Sequence, residues 1–236
     1  MANNIDKIML VAEALGDLRS QVVFVGGSVA ELYAAQPELS DIRPTIDVDC
    51  VVDIKIVTYS DYARLEEKLR KLGFANDISD DAPICRKTYR GIIVDFMPVN
   101  PDILGFSNQW YKAGYENRIE KQMPDNTAIY IFPVEYYVAT KLEALISRGG
   151  TDIRGSHDWE DIVYVLDNCD YFLSNFQKCE NKELLDYLKN QFNKLLNNSN
   201  IREIIYSVLP FNSEKEQVDK IFAILCKAFN FQICII

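Results

Sequence analysis

Pro133 divides the sequence into two stretches of different character, and that asymmetry limits the fold more than any single composition figure. Before it, short apolar runs bounded by turn residues alternate with helix-periodic stretches; after it, only helical periodicity occurs. Residues 21–25, 43–53, 84–89, 91–97 and 128–132 read as strands, the third and fourth paired around a turn at Arg90-Gly91. Residues 5–19, 29–35 and 62–72 read as helices, the last stopped by Gly73, and 100–110 as a loop. Pro133, at the favoured first helical position, opens a helix that runs to Arg148 before Gly149-Gly150; Ser156 caps another through Leu166. Residues 182–196 and 213–229 continue the helical pattern. The expected class is α+β: a small mixed β-sheet with flanking helices over 1–132, then a helical domain over 133–236.

The chain is 48% hydrophobic, enough to bury a sizeable core. Its formal net charge of −10 argues against broad electrostatic capture of nucleic acid, which needs a basic face. Two local groups run against that balance: Arg64, Lys68, Arg70 and Lys71 on one expected helix, and Arg86, Lys87 and Arg90 nearby. Each reads either as a basic groove or, more simply, as solvated surface charge. Six cysteines form no C-x-x-C pair and read as small core side chains. The polar start, Met1 to Lys7, has no signal-peptide character, and no apolar run approaches the roughly 18 residues of a membrane span, so a cytoplasmic protein without a membrane partner is expected. The apolar end, 231–236, reads as packing on the helical half or as a dimer contact.

Three features carry chemistry. Gly26-Gly27-Ser28 lies between a strand and a helix, where absent Cβ atoms and free N–H groups suit phosphate; the same triplet also serves ordinary turns. Asp47 and Asp49 stand at i, i+2 on a strand and share a face, with Ile46, Val48 and Cys50 expected on the core side. Two such charges about 4 Å apart repel by about 1 kcal/mol in water and about 4 near a protein surface, so a folded site that keeps both needs a cation. Oxygen ligands suit Mg2+ or Mn2+; the other reading is a polar strand face in water. Asp95, in the apolar run 92–97, breaks the local pattern and reads as a functional carboxylate, as an edge-strand acid, or as an acid paired with a nearby arginine.

Taken in order, these residues resemble the nucleotidyltransferase superfamily that includes DNA polymerase β. The resemblance implies that Gly26, Gly27 and Ser28 hold a nucleoside triphosphate, that Asp47, Asp49 and Asp95 ligate Mg2+ or Mn2+, and that Asp95 helps deprotonate an attacking hydroxyl. Lys141 falls inside the apolar stripe of its helix, where it either snorkels to the rim or meets an anion, with Arg148 on the same side. Asp158 and Asp161 share a side of the next helix and also complement its dipole. The string Lys141-Leu142-Glu143-Ala144-Leu145 to Arg148, followed by Asp158 to Asp161, is similar to a segment of the abortive-infection AbiEii toxin-like nucleotidyltransferases, departing from it at His157 and in the glycine-rich link 149–155. That similarity implies that Lys141 contacts the phosphates, that Asp158 completes the active site, and that a cognate antitoxin exists. Arg43, just before the D-x-D strand, reads as a phosphate contact or as the partner of a surface acid. The expected activity is transfer of a nucleotidyl group from an NTP to an acceptor hydroxyl on tRNA, protein or a small molecule. The alternative is a catalytically silent nucleotide-binding or interaction module of the same fold.

Overall fold

The structure, a computed structural model, describes residues 3–52, 55–56, 58–148 and 153–229. The Gly149-Gly150 helix stop, Cys234 and the apolar end 231–236 lie outside the described residues. The fold is α+β. The chain forms two compact units, Met1–Val29 with Arg43–Pro133, and Ala30–Ile42 with Val134–Ile236.

The first unit holds a seven-stranded mixed sheet. Its strands are β1 (Val22–Val25), β2 (Asp47–Val52), β3 (Ala75–Asn76), β4 (Arg86–Tyr89), β5 (Ile92–Pro98), β6 (Ile119–Gln122) and β7 (Ala128–Ile131), in the order β3-β4-β5-β2-β1-β7-β6. β1 pairs antiparallel with β2, and β2 pairs parallel with β5. β1 is buried at all four residues, as expected of a central strand covered on both faces. Among the described residues, four α-helices flank the sheet: α1 (Asn4–Leu15), α2 (Tyr59–Lys71), α3 (Pro101–Leu104) and α4 (Tyr111–Glu116). α2 opens with a reciprocal capping box between Thr58 and Asp61. The Tyr62 hydroxyl donates to the Phe96 carbonyl at 3.0 Å, tying α2 to the face of β5 opposite Asp95.

Arg90 (φ 48°) and Gly91 (φ 80°) form the two-residue turn between β4 and β5. Two left-handed residues in succession give the turn whose twist matches that of paired strands. It fixes the register Tyr89↔Ile92 and hence Arg86↔Asp95.

Several local expectations change. The segment after Gly26 is a 3-10 helix, Gly27–Tyr33, not an α-helix over 29–35. β2 begins at Asp47, so Ile46 precedes the pleat and is 79% exposed instead of facing the core. Residues 43–45 form no strand: Asn4 clamps them, its Nδ2 donating to the Arg43 carbonyl at 3.1 Å and its Oδ1 accepting from the Thr45 N–H at 2.9 Å. α3 interrupts the expected 100–110 loop, and the two-residue β3 and the exposed edge strand β6 lacked an apolar run to announce them.

The second unit contains α5 (Val134–Ser147), α6 (His157–Asn168), α7 (Phe172–Lys178), α8 (Lys182–Leu196), α9 (Ile201–Tyr206) and α10 (Lys215–Phe229). Phe192 stacks on Phe229 with centroids 4.5 Å apart, and the Trp159 indole N–H reaches the Ile204 carbonyl at 3.1 Å. The segment Ala30–Ile42 belongs here because the fully buried Tyr33 packs on Tyr137, centroids 4.7 Å apart. No helix among the described residues is long and apolar enough to cross a membrane.

Candidate metal centre

The register places one row of residues across four adjacent strands. Val25 of β1 faces Asp49 of β2, Asp49 faces Asp95 of β5, and Asp95 faces Arg86 of β4. Cross-strand neighbours share a face, so Asp49, Asp95 and Arg86 project together, and Asp47, two residues before Asp49, joins them. Carboxylate oxygens of Asp47, Asp49 and Asp95 all lie within 4.8 Å of one another. Three oxygen donors at that separation could hold a hard divalent cation.

The glycine turn abuts this row. Gly26 has φ 74°, and a Cβ built on it would land on the Asp49 carboxylate. Glycine is required twice over: for the left-handed backbone, and for the space that Asp49 fills. Ser28 is fully buried, and its hydroxyl lies 3.4 Å from the Val25 carbonyl, to which it donates. Gly27 is buried at the start of the 3-10 helix.

Arg86 is the residue that reading the sequence as surface charge missed. Its Nε donates to Asp95 Oδ1 at 2.9 Å and its Nη2 to Asp95 Oδ2 at 2.8 Å, a bidentate pair. The same Nη2 lies 3.6 Å from Asp47 Oδ2. The hydrogen bonds to Asp95 hold the guanidinium above its ordinary pKa, followed by the Coulomb attraction of Asp95 and Asp47. Arg86 thus faces two of the three carboxylates, Asp95 and Asp47. Lys87 is not solvated surface either: it is buried and pairs with Glu66 at 2.7 Å. Arg86 stands four residues before Arg90 and Asp95 four residues after Gly91. That symmetry about the turn is the sequence signal that could have paired them.

Two thiols lie near the acidic row. Cys50 is pushed well up by burial, then by Asp49 and Asp95, and Cys85 is pushed up to about 11 by burial, then by Asp95. Both therefore stay protonated at neutral pH.

The second unit holds Lys141, Arg148, Asp158 and Asp161 in a network of its own. Lys141 neither snorkels nor stands apart: it is buried, with its Nζ 2.6 Å from Asp161 Oδ2 and 3.4 Å from Asp158 Oδ1. Arg148 Nη1 reaches Asp158 Oδ2 at 2.6 Å. Two cations and two carboxylates balance, which is how buried charges persist. His157 lies at the surface, 3.1 Å from Glu160. Arg43 is half-buried in the segment that Asn4 clamps ahead of β2. No protein-family model matches this chain, and no curated protein matches it.

Proposed function

We propose that this chain is a metal-dependent nucleotidyltransferase, moving a nucleotidyl group from an NTP to an acceptor hydroxyl. One observation carries the reading: Asp47, Asp49 and Asp95 converge within 4.8 Å beside the Gly26 turn. The donor set fits Mg2+ or Mn2+, which would supply charge neutralisation at the phosphates. Asp47 and Asp49 would hold that ion from one strand, and Asp95 from the next. The acceptor oxygen forms a bond to the α-phosphorus, the bond from that phosphorus to the pyrophosphate oxygen breaks, and the hydroxyl proton passes to Asp95 or to solvent. Asp95 holds its bond to Arg86 with two of roughly four lone-pair directions, which leaves two for these tasks. The assignment places the chemistry in the first unit. Lys141 and Asp158 stay partnered in the second unit and enter as supports of its fold.

The acceptor is an RNA end such as that of tRNA, a protein hydroxyl or a small molecule, and a toxin-like role would carry a cognate antitoxin. Incubation with each labelled NTP, Mg2+ and separated RNA, protein and small-molecule fractions tests the reading. Label should enter one fraction, and the Asp47→Asn, Asp49→Asn double variant should lose at least about a hundredfold in rate, the scale on which removal of a charge-stabilising group acts. Equal labelling by wild type and variant would overturn it. A catalytically silent module is the second reading, and Arg86 favours it, because a cation from the chain itself already offsets part of the repulsion among the acids. Metal-dependent transfer in the first assay eliminates it.

A further inference from the structure

The first unit has a second concave feature, of opposite charge to the acidic row. It is a cavity of about 240 Å³, floored by Val22 of β1, Val52 of β2, Ile56 and Leu65 of α2, all buried. Val22 pairs with Val52, whereas Val25 pairs with Asp49, so the cavity lies three residues along the strands from the acids, about 10 Å. Strand alternation also puts Val52 on the face opposite Asp47 and Asp49. This pocket and the acidic row are therefore separate features of one sheet.

Its rim is cationic. Lys55, Arg64 and Lys68 line it, against a single acid, Asp61. Asp61 is already committed: it accepts from the Thr58 N–H at 3.0 Å, from the Thr58 hydroxyl at 2.6 Å, and from Arg64 at 3.1 Å. Lys68 forms no ion pair among the described residues. In a chain of net charge −10, three cations around an aliphatic floor are a local reversal that solvation of the surface does not require. An apolar cavity of about 150 Å³ can hold a benzene ring, so 240 Å³ has room for a ring and a small head group.

We infer that this pocket binds a small organic monoanion, with an apolar part about one ring in size seated on Val22, Val52 and Leu65 and a carboxylate facing Arg64 and Lys68. The apolar part gains from leaving water, while the head group stays at the wet rim and meets cations without full desolvation. The site does not depend on nucleotidyl transfer.

Ligand-observed NMR on the full chain tests it, with benzoate as probe, benzamide as its neutral counterpart and inorganic phosphate as an anion without an apolar part. Benzoate should bind saturably and at least about tenfold more tightly than benzamide. The Arg64→Glu, Lys68→Glu double variant, altered only at exposed positions, should weaken benzoate at least about tenfold and leave benzamide unchanged. Gln21→Trp, an exposed change at the mouth, should block both. The Asp47→Asn, Asp49→Asn variant should bind benzoate as the wild type does. Equal binding of benzoate and benzamide, no binding of either, full competition by phosphate, or benzoate binding that survives the charge reversal would each overturn the inference. Loss of benzoate binding in the Asp47, Asp49 variant would overturn the separation of the two features.

Discussion

Arg86 shows how much one side chain can decide. Asp95 is 7% exposed, and its two oxygens are both bonded to the guanidinium. Arg86→Gln would take from Asp95 and Asp47 the guanidinium that both face, and should cost about 2–3 kcal/mol in urea unfolding, since a partly buried carboxylate loses a charged donor. Millimolar Mg2+ or Mn2+ should restore most of that loss in the variant and add less to the wild type. A variant whose stability ignores divalent ions would argue that the three acids are no cation site. Glu135, in the first turn of α5, is the opposite case. Its Oε2 is buried without a hydrogen-bond partner, and burial raises its pKa above the ordinary 4.5. The folded protein then holds the Glu135 proton more tightly than the unfolded chain does. This group's contribution is harmless below pH 4.5 and becomes a penalty as pH rises through the folded value. Glu135→Gln should therefore stabilise the protein at pH 7 relative to wild type and leave stability at pH 4 nearly unchanged, as read by thermal unfolding at the two pH values.

Elements were legible where local chemistry matched global demand. The D-x-D strand, the Arg90-Gly91 hairpin, α5 and the Ser156-capped α6 follow from period, turn residues and capping, and the structure has these elements. What local pattern could not supply was register across the sheet. Arg86 looked like surface charge because its partner is nine residues away across a turn, and Lys87 because its partner Glu66 lies on another element. Ile46 looked like core because alternation does not say where a strand starts; Asn4 and Lys7, some forty residues earlier, hold the preceding segment out of the sheet. The acidic row was foreseeable in membership, and an arginine partner for Asp95 was one of its readings; which arginine was not foreseeable. In α5 and α6, the expectation that Lys141 meets an anion is answered inside the unit by Asp158 and Asp161. Lys141→Met should then cost about 3–5 kcal/mol, because it removes the ammonium that both buried carboxylates meet. Adding Asp161→Asn to Lys141→Met should recover part of the loss. A double-mutant cycle with no coupling would mean that the pair acts independently.

At the scale of the whole molecule, the chain passes between its two units three times, after Val29, after Ile42 and after Pro133. The excursion 30–42 ties the helical unit to sequence that lies a hundred residues earlier. Tyr33 fills a fully buried place beside Tyr137, the Ala35 N–H donates to the Asn168 carbonyl at 2.9 Å, and Ser40 meets the Tyr164 hydroxyl at 2.5 Å. Removal of a buried aromatic typically costs about 3–5 kcal/mol, a large part of the 5–15 kcal/mol that holds a domain together. A fragment spanning 134–236 lacks all three contacts. It should keep its helices, which depend on local hydrogen bonds and caps, yet lose fixed packing around Tyr137 and Tyr164. Far-ultraviolet circular dichroism should then stay close to that expected of its helices while the near-ultraviolet aromatic signal collapses. Adding a peptide of residues 30–42 should restore the aromatic signal, and the same peptide with Tyr33→Ala should not. A fragment with a full aromatic signal of its own would show that the excursion is an accessory and that Pro133 alone bounds an autonomous helical unit.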